Sequence, residues 1–148
     1  MDGKAKHEQK TPKSRRIFLT HTEEIHAPAG KVFPLLCPVA EYDWIENWDC
    51  RLVYSESGVN EEGCIFTEEI MGPVLTGTPT TSTWLANAYD KKNRHIRFVI
   101  FVHDQAVIRY DVRLDEQEGS RTTAVMNFEI TAVGDQVGSL SDEEIRAR

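Results

Sequence analysis

Three side chains have the chemistry to move a proton if the fold brings them together: Tyr110, His103, and one of the pair Glu68 and Glu69. Tyr110 lies in AVIRYDVRL, where Ile108, Tyr110, Val112 and Leu114 alternate with Arg109, Asp111 and Arg113. That period of two puts the phenol on the apolar face of a half-buried strand. There its hydroxyl is a donor suited to steadying an enolate. His103 ends an apolar run, with Asp104 beside it in a turn. Glu68 and Glu69 are neighbours on a strand, so one of them faces inward, and Glu68 is taken as that residue. A desolvated carboxylate there has the character of a general base. Each candidate has a plainer reading. Tyr110 is then a core tyrosine, His103 a solvated hairpin residue, and Glu68 the partner of an arginine.

Other chemistries find less support. His21-Thr-Glu-Glu-Ile-His26 superficially resembles a zinc-binding HExxH, but its histidines are five apart in a strand-like stretch. Rings at that spacing point to opposite faces, whereas a zincin needs i and i+4 on a helix. Cys37, Cys50 and Cys64 contain no CxxC pair, and buried single thiols account for them. No metal site is expected. There is no G-x-S-x-G elbow, and TGTPTTS lacks the Gly-Lys-Ser/Thr ending of a phosphate loop. No nucleotide or other cofactor is expected.

The elements that must position these residues follow from the pattern. Ile17 to His26 reads as a strand, broken by Ala27-Pro28. Lys31 to Leu36 reads as a short helix, distorted by Pro34, which lacks a backbone donor. Val39 to Trp48 reads as a second short helix. Strands are expected at Arg51–Ser57, Cys64–Ile70, Thr81–Tyr89, His95–Val102, Ala106–Leu114 and Thr122–Thr131. MGPVLTGTPT, residues 71–80, holds two glycines and two prolines and reads mainly as loop. Ser141-Asp-Glu-Glu144 matches a capping box and opens a terminal helix. This is an α+β layout, in which a curved antiparallel sheet of about six or seven strands needs an apolar cover.

Composition narrows the class. At 148 residues, 40% hydrophobic and 28% charged, the chain reads as one globular domain, residues 16–148, behind a basic arm, residues 1–15. Six of the 17 Lys/Arg fall within residues 1–16, against Asp2 and Glu8, leaving 11 basic and 22 acidic residues beyond them. An acidic body argues against nucleic acid as a partner, because that affinity rests on neutralising phosphates. The arm is polar and poor in apolar residues, the composition of a disordered tail. No apolar run reaches the roughly 20 residues of a membrane span, and no apolar signal segment opens the chain. With three widely spaced cysteines, the cytoplasm is the expected location.

Several segments together resemble the START/Bet v 1-like (SRPBCC) superfamily, in particular its polyketide cyclase/dehydratase-like branch. They are IHAPAGKVFPLL, YDWIENWDC, TWLANAYDKKNRHIRFVIF and AVIRYDVRLDEQEGSRTTAVMNFEIT, within Phe18 to Thr131. These are signatures of fold and not of catalysis. The resemblance implies a helix-grip fold with a deep cavity between the sheet and a long C-terminal helix. Its implied use is binding a small hydrophobic or amphipathic molecule, lipids included. Two alternatives stay open: a cyclase or dehydratase using the acid–base residues above, or a protein-interaction module using the exposed sheet face.

The cavity implied by the resemblance would be lined by Phe66, Trp84, Phe98, Ile100, Tyr110, Met126 and Phe128. Trp48 would stand at its mouth or in the core. Tyr42, Trp44, Ile45 and Trp48 share one face at near-helical spacing, with the acidic residues of EYDWIENWD mostly on the other. After the capping box, Asp142 to Arg148 span roughly 10 Å of helix, shorter than the gripping helix the resemblance implies. If the chain ends there, the uncovered apolar face would favour a homodimer or higher self-association.

Overall fold

The computed structural model describes residues 15–36 and 49–146. The basic arm, the expected helix at 39–48 and Trp48 lie outside the described residues. Seven strands form one sheet: β1 (Arg16–Ile25), β2 (Cys50–Tyr54), β3 (Ile65–Glu68), β4 (Ser82–Asp90), β5 (His95–Val102), β6 (Ala106–Gln117) and β7 (Arg121–Ala132). Their order is β1-β7-β6-β5-β4-β3-β2, and every pair is antiparallel. The middle of the sheet is a meander of hairpins, while β1 returns to lie beside the last strand. The register shifts between Ala86 and Ala88, and again between Leu52 and Tyr54. Such an extra residue bends a strand and increases its twist.

One inward row of side chains crosses the whole sheet. Ile17, Ile130, Ile108, Ile100, Trp84, Phe66 and Leu52 are successive cross-strand partners from β1 to β2. A second row runs Leu19, Phe128, Tyr110, Phe98 and Ala86. The opposite face carries Arg16–Glu129 and Arg97–Asp111 ion pairs at 3.4 and 3.3 Å, and His95 Nε2 lies 2.5 Å from Asp111 Oδ1. Exposed pairs of this kind contribute little stability. The period-two alternation of β6 and β7 thus sorts one apolar and one charged face.

Short helices lie at the ends of this sheet. Ala29–Val32 forms one turn of α-helix and passes directly into a 3₁₀ turn, Phe33–Leu35, at Pro34. The missing proline donor explains the change of winding. Ala29, Val32 and Phe33 are buried, and the Phe33 ring lies 5.4 Å from that of Tyr89.

Residues 71–80 are not mainly loop, as the glycine and proline content suggests. Met71–Thr76 is helical. Pro73 falls in the first turn, where backbone donors have no intrahelical partner to lose. Gly77 closes the helix at φ 79°, the left-handed conformation glycine adopts at no steric cost. Asp135–Gly138 adds a helical turn with Val137 buried. Asp142–Arg146 is helical, and its capping box is formed: the Ser141 amide donates to Glu144 Oε1 at 2.9 Å, and the Glu144 amide to Ser141 Oγ at 3.1 Å. No helix among the described residues is long and apolar enough to cross a membrane.

Candidate functional site

The inward face of the sheet and the short helices border an open cavity of about 480 Å³. Its floor is Trp84 on β4, Tyr110, Val112 and Leu114 on β6, and Ala124, Met126 and Phe128 on β7. Val32 and Leu36 border it from one helical segment, and Ile70, Met71 and Val74 from the other. Alternation explains the floor, since residues i and i+2 of a strand share a face. A neighbouring cleft of about 460 Å³ shares Met71, Val74 and Phe128 with it. That cleft continues over Leu19, Ile108 and Ile130 toward Ile145 of the terminal helix. A larger depression of about 620 Å³ is bordered by the outward groups Arg97, Arg109, Asp111 and Glu129. Its charged border suits an apolar ligand less well than the inward cavity.

Aromatic rings run across the inward face. Tyr110 and Phe128 stack at 4.4 Å and are nearly parallel, while Phe98 stacks on the other side of Tyr110 at 6.0 Å. Trp84 meets both Phe98 and Tyr110 edge-on, at 5.1 and 6.0 Å, and stacks on Phe66 at 5.2 Å. Offset and edge-to-face contacts of this kind are each worth about 0.5–1.5 kcal/mol beyond area burial. They hold the wall rigid.

The structure divides the residues expected from sequence. Trp84, Tyr110, Met126 and Phe128 line the cavity. Phe66, Phe98 and Ile100 do not: they are buried in the packed core and support the wall. Glu68 lines the cavity and is 3% exposed, whereas Glu69 faces solvent. His103 sits on the β5–β6 hairpin, with a side chain 77% exposed beside Asp104 at 3.3 Å. It does not border this cavity, so Tyr110 and Glu68 share a site that His103 does not. The wall residues Val32, Leu36, Met71 and Val74 were not anticipated. The i, i+3 spacing of Met71 and Val74 was a helical signal masked by Gly72 and Pro73.

Glu68 is held by three N–H donors. The Trp84 indole Nε1–H donates to Oε1 at 2.9 Å, and the backbone amides of Ile70 and Met71 donate to Oε2 at 2.5 and 2.9 Å. The carboxylate thereby ties β3 to β4 and anchors the start of the Met71–Thr76 helix. Directly opposite on β4, Ser82 is fully buried, and its hydroxyl has no hydrogen-bond partner among the described residues. Among the described residues no group of three or more His, Cys, Asp or Glu is placed to hold a metal ion. Cys64 is buried in the core and Cys50 half-buried on β2.

No protein-family model matches the chain, and no curated protein matches it by sequence. Solved structures do match in fold. Major latex-like protein 151 from Panax ginseng superposes with a TM-score of 0.64 at 14% identity, over 89% of this chain and 88% of that one. The aromatase/cyclase ZhuI from Streptomyces sp. R1128 gives 0.64 at 16% identity, over 90% and 81%. A truncated norcoclaurine synthase from Thalictrum flavum gives 0.65 at 11% identity, over 93% and 91%. At such identities the likeness is one of fold. The chain shares the helix-grip fold of these structures, as the resemblance implied.

Proposed function

We propose that this protein binds a small hydrophobic or amphipathic molecule in the cavity over the inward face of its sheet. The observation that carries the reading is the lining: about 480 Å³ walled mainly by aliphatic, aromatic and Met side chains, with Glu23, Glu68 and Tyr110 as its polar groups. A volume within roughly 300–1,000 Å³, apolar walls and few polar groups are the attributes of small-molecule sites. Met126 and Met71 add adaptable thioether surface. The fold is one in which a solved neighbour is described as an aromatase/cyclase and another as a norcoclaurine synthase.

A cyclase- or dehydratase-type activity is the second reading, favoured by the placement of Tyr110 and Glu68 on one cavity. The hydrogen bonds of Glu68 weigh toward holding a ligand, because both its oxygens already accept N–H donors. The test is titration with the neutral apolar fluorophore N-phenyl-1-naphthylamine. Saturable enhancement is expected, with affinity falling at least about tenfold in Met126→Trp, whose indole fills the cavity. No saturation in the wild type, or equal affinity in the filled variant, would refute the reading.

A further inference from the structure

Among the described residues, the acidic side chains that line the cavity are Glu68 at the buried end and Glu23 on the exposed strand β1. No Lys, Arg or His among the described residues lines it. Glu23 is partnered by His21 at 2.8 Å. Glu68 has no cationic partner among the described residues; its three bonds come from neutral N–H groups. The basic groups His21 and Arg146 border the adjoining cleft instead.

A carboxylate offers about four acceptor positions, two on each oxygen. The Ile70 and Met71 amides use those of Oε2, and the Trp84 indole uses one of the two on Oε1. Among the described residues, one acceptor position on Oε1 is left unused, on a residue that lines the cavity. Neutral donors spread the charge of a buried carboxylate without cancelling it, and a cation brought beside it in apolar surroundings interacts more strongly than in water.

From this arrangement we infer that the cavity selects an apolar molecule bearing one protonated amine. Glu68 receives the ammonium group, and the apolar skeleton lies along Met126 and Phe128. A carboxylate-bearing ligand of the same skeleton is disfavoured by like charge at Glu68. The inference rests on the cavity reading above and deepens it.

The test compares three probes of one skeleton: 1-naphthylmethylamine, 1-naphthalenemethanol and 1-naphthoate, titrated calorimetrically at neutral pH and low salt. The amine is expected to bind at least about tenfold tighter than the alcohol, the worth of one charge-assisted hydrogen bond, and the carboxylate weakest. In Glu68→Gln the preference for the amine over the alcohol should fall to within about threefold. Equal amine and alcohol affinities in the wild type, or tightest binding of the carboxylate, would overturn the inference while leaving the cavity reading intact. Binding of none of the three would overturn both. Should Glu68→Gln not fold, the Trp84 indole N–H resonance, assigned through Trp84→Phe, decides. The amine must shift it more than the alcohol does, and an unmoved resonance places the amine elsewhere.

Discussion

The Trp84 indole donates its N–H to Glu68 Oε1 at 2.9 Å, with the two side chains 8% and 3% exposed. This bond links β3 to β4 inside the core and leaves the other carboxylate oxygen for the Ile70 and Met71 amides. Removing the carboxylate strands three donors at once. Glu68→Ala is expected to cost about 3 kcal/mol or more, since each unsatisfied buried donor costs about 1–3 kcal/mol. Trp84→Phe should cost less, because Glu68 keeps its two amide donors. Urea unfolding of both single variants and the double variant should give a coupling of about 1.5 kcal/mol or more, the range of hydrogen bonds to charged groups. Additive losses would show that the bond contributes nothing of its own.

Tyr110 separates packing from chemistry. Its ring is stacked between Phe98 and Phe128, so Tyr110→Phe preserves every ring contact. Stability is expected to stay within about 1 kcal/mol of the wild type and affinity for N-phenyl-1-naphthylamine within about twofold. Tyr110→Ala should cost about 3 kcal/mol, as loss of a large ring from a packed wall does. If turnover is found on any candidate substrate, Tyr110→Phe should abolish it with binding retained. Turnover that survives this substitution would remove the hydroxyl from the mechanism.

The helix over residues 71–76 depends on a close approach at Gly72. A Cβ placed there would meet the Thr80 carbonyl oxygen at 2.3 Å, and backbone cannot yield as a side chain tip does. Gly72→Ala is expected to destabilise by about 1–3 kcal/mol, the usual cost of overpacking. Because Met71 and Val74 border the cavity, probe affinity should fall with it. A thermal melt paired with the fluorophore titration checks both. An unchanged melt would mean that residues 71–80 accommodate the methyl by moving together.

Acid should reveal the loop between β2 and β3. Glu61 lies below its ordinary value near 4.5, chiefly through a side-chain hydrogen bond from Ser57 and then through the backbone amides of Glu56 and Ser57. Those two amides donate to its carboxylate at 2.8 Å each. A carboxylate with a depressed folded value stabilises the fold above its unfolded value, and loses that contribution as pH falls through the folded one. Glu61→Gln should therefore be less stable than the wild type near neutrality. The difference should shrink as pH drops below about 4.5, where the wild-type carboxylate protonates in the unfolded and then the folded state. Thermal melts from pH 7 to pH 3 test this, and a gap that stays constant across the range would contradict it.

Much of the inward face was legible in sequence because a strand has a period of two. Once Ile108, Val112 and Leu114 were seen to alternate with charges, Tyr110 had to share their face, and it does. The same logic applied to β7, where Ala124, Met126, Phe128 and Ile130 point inward with them. The capping box at Ser141 was legible because its two hydrogen bonds are local. Alternation cannot say which inward residues meet empty space and which meet other side chains. Phe66, Phe98 and Ile100 are as apolar as Met126, yet they are buried in the packed core and do not line the cavity. Nor does local pattern bring distant segments together. Glu68 is joined to a tryptophan 16 residues later, and Met71 and Val74 line one cavity with residues of β6 and β7 far along the chain. Local periodicity determined which face each strand residue takes. Only tertiary packing decided that Glu68 would be a buried carboxylate in an apolar cavity, and that His103 would stand outside it.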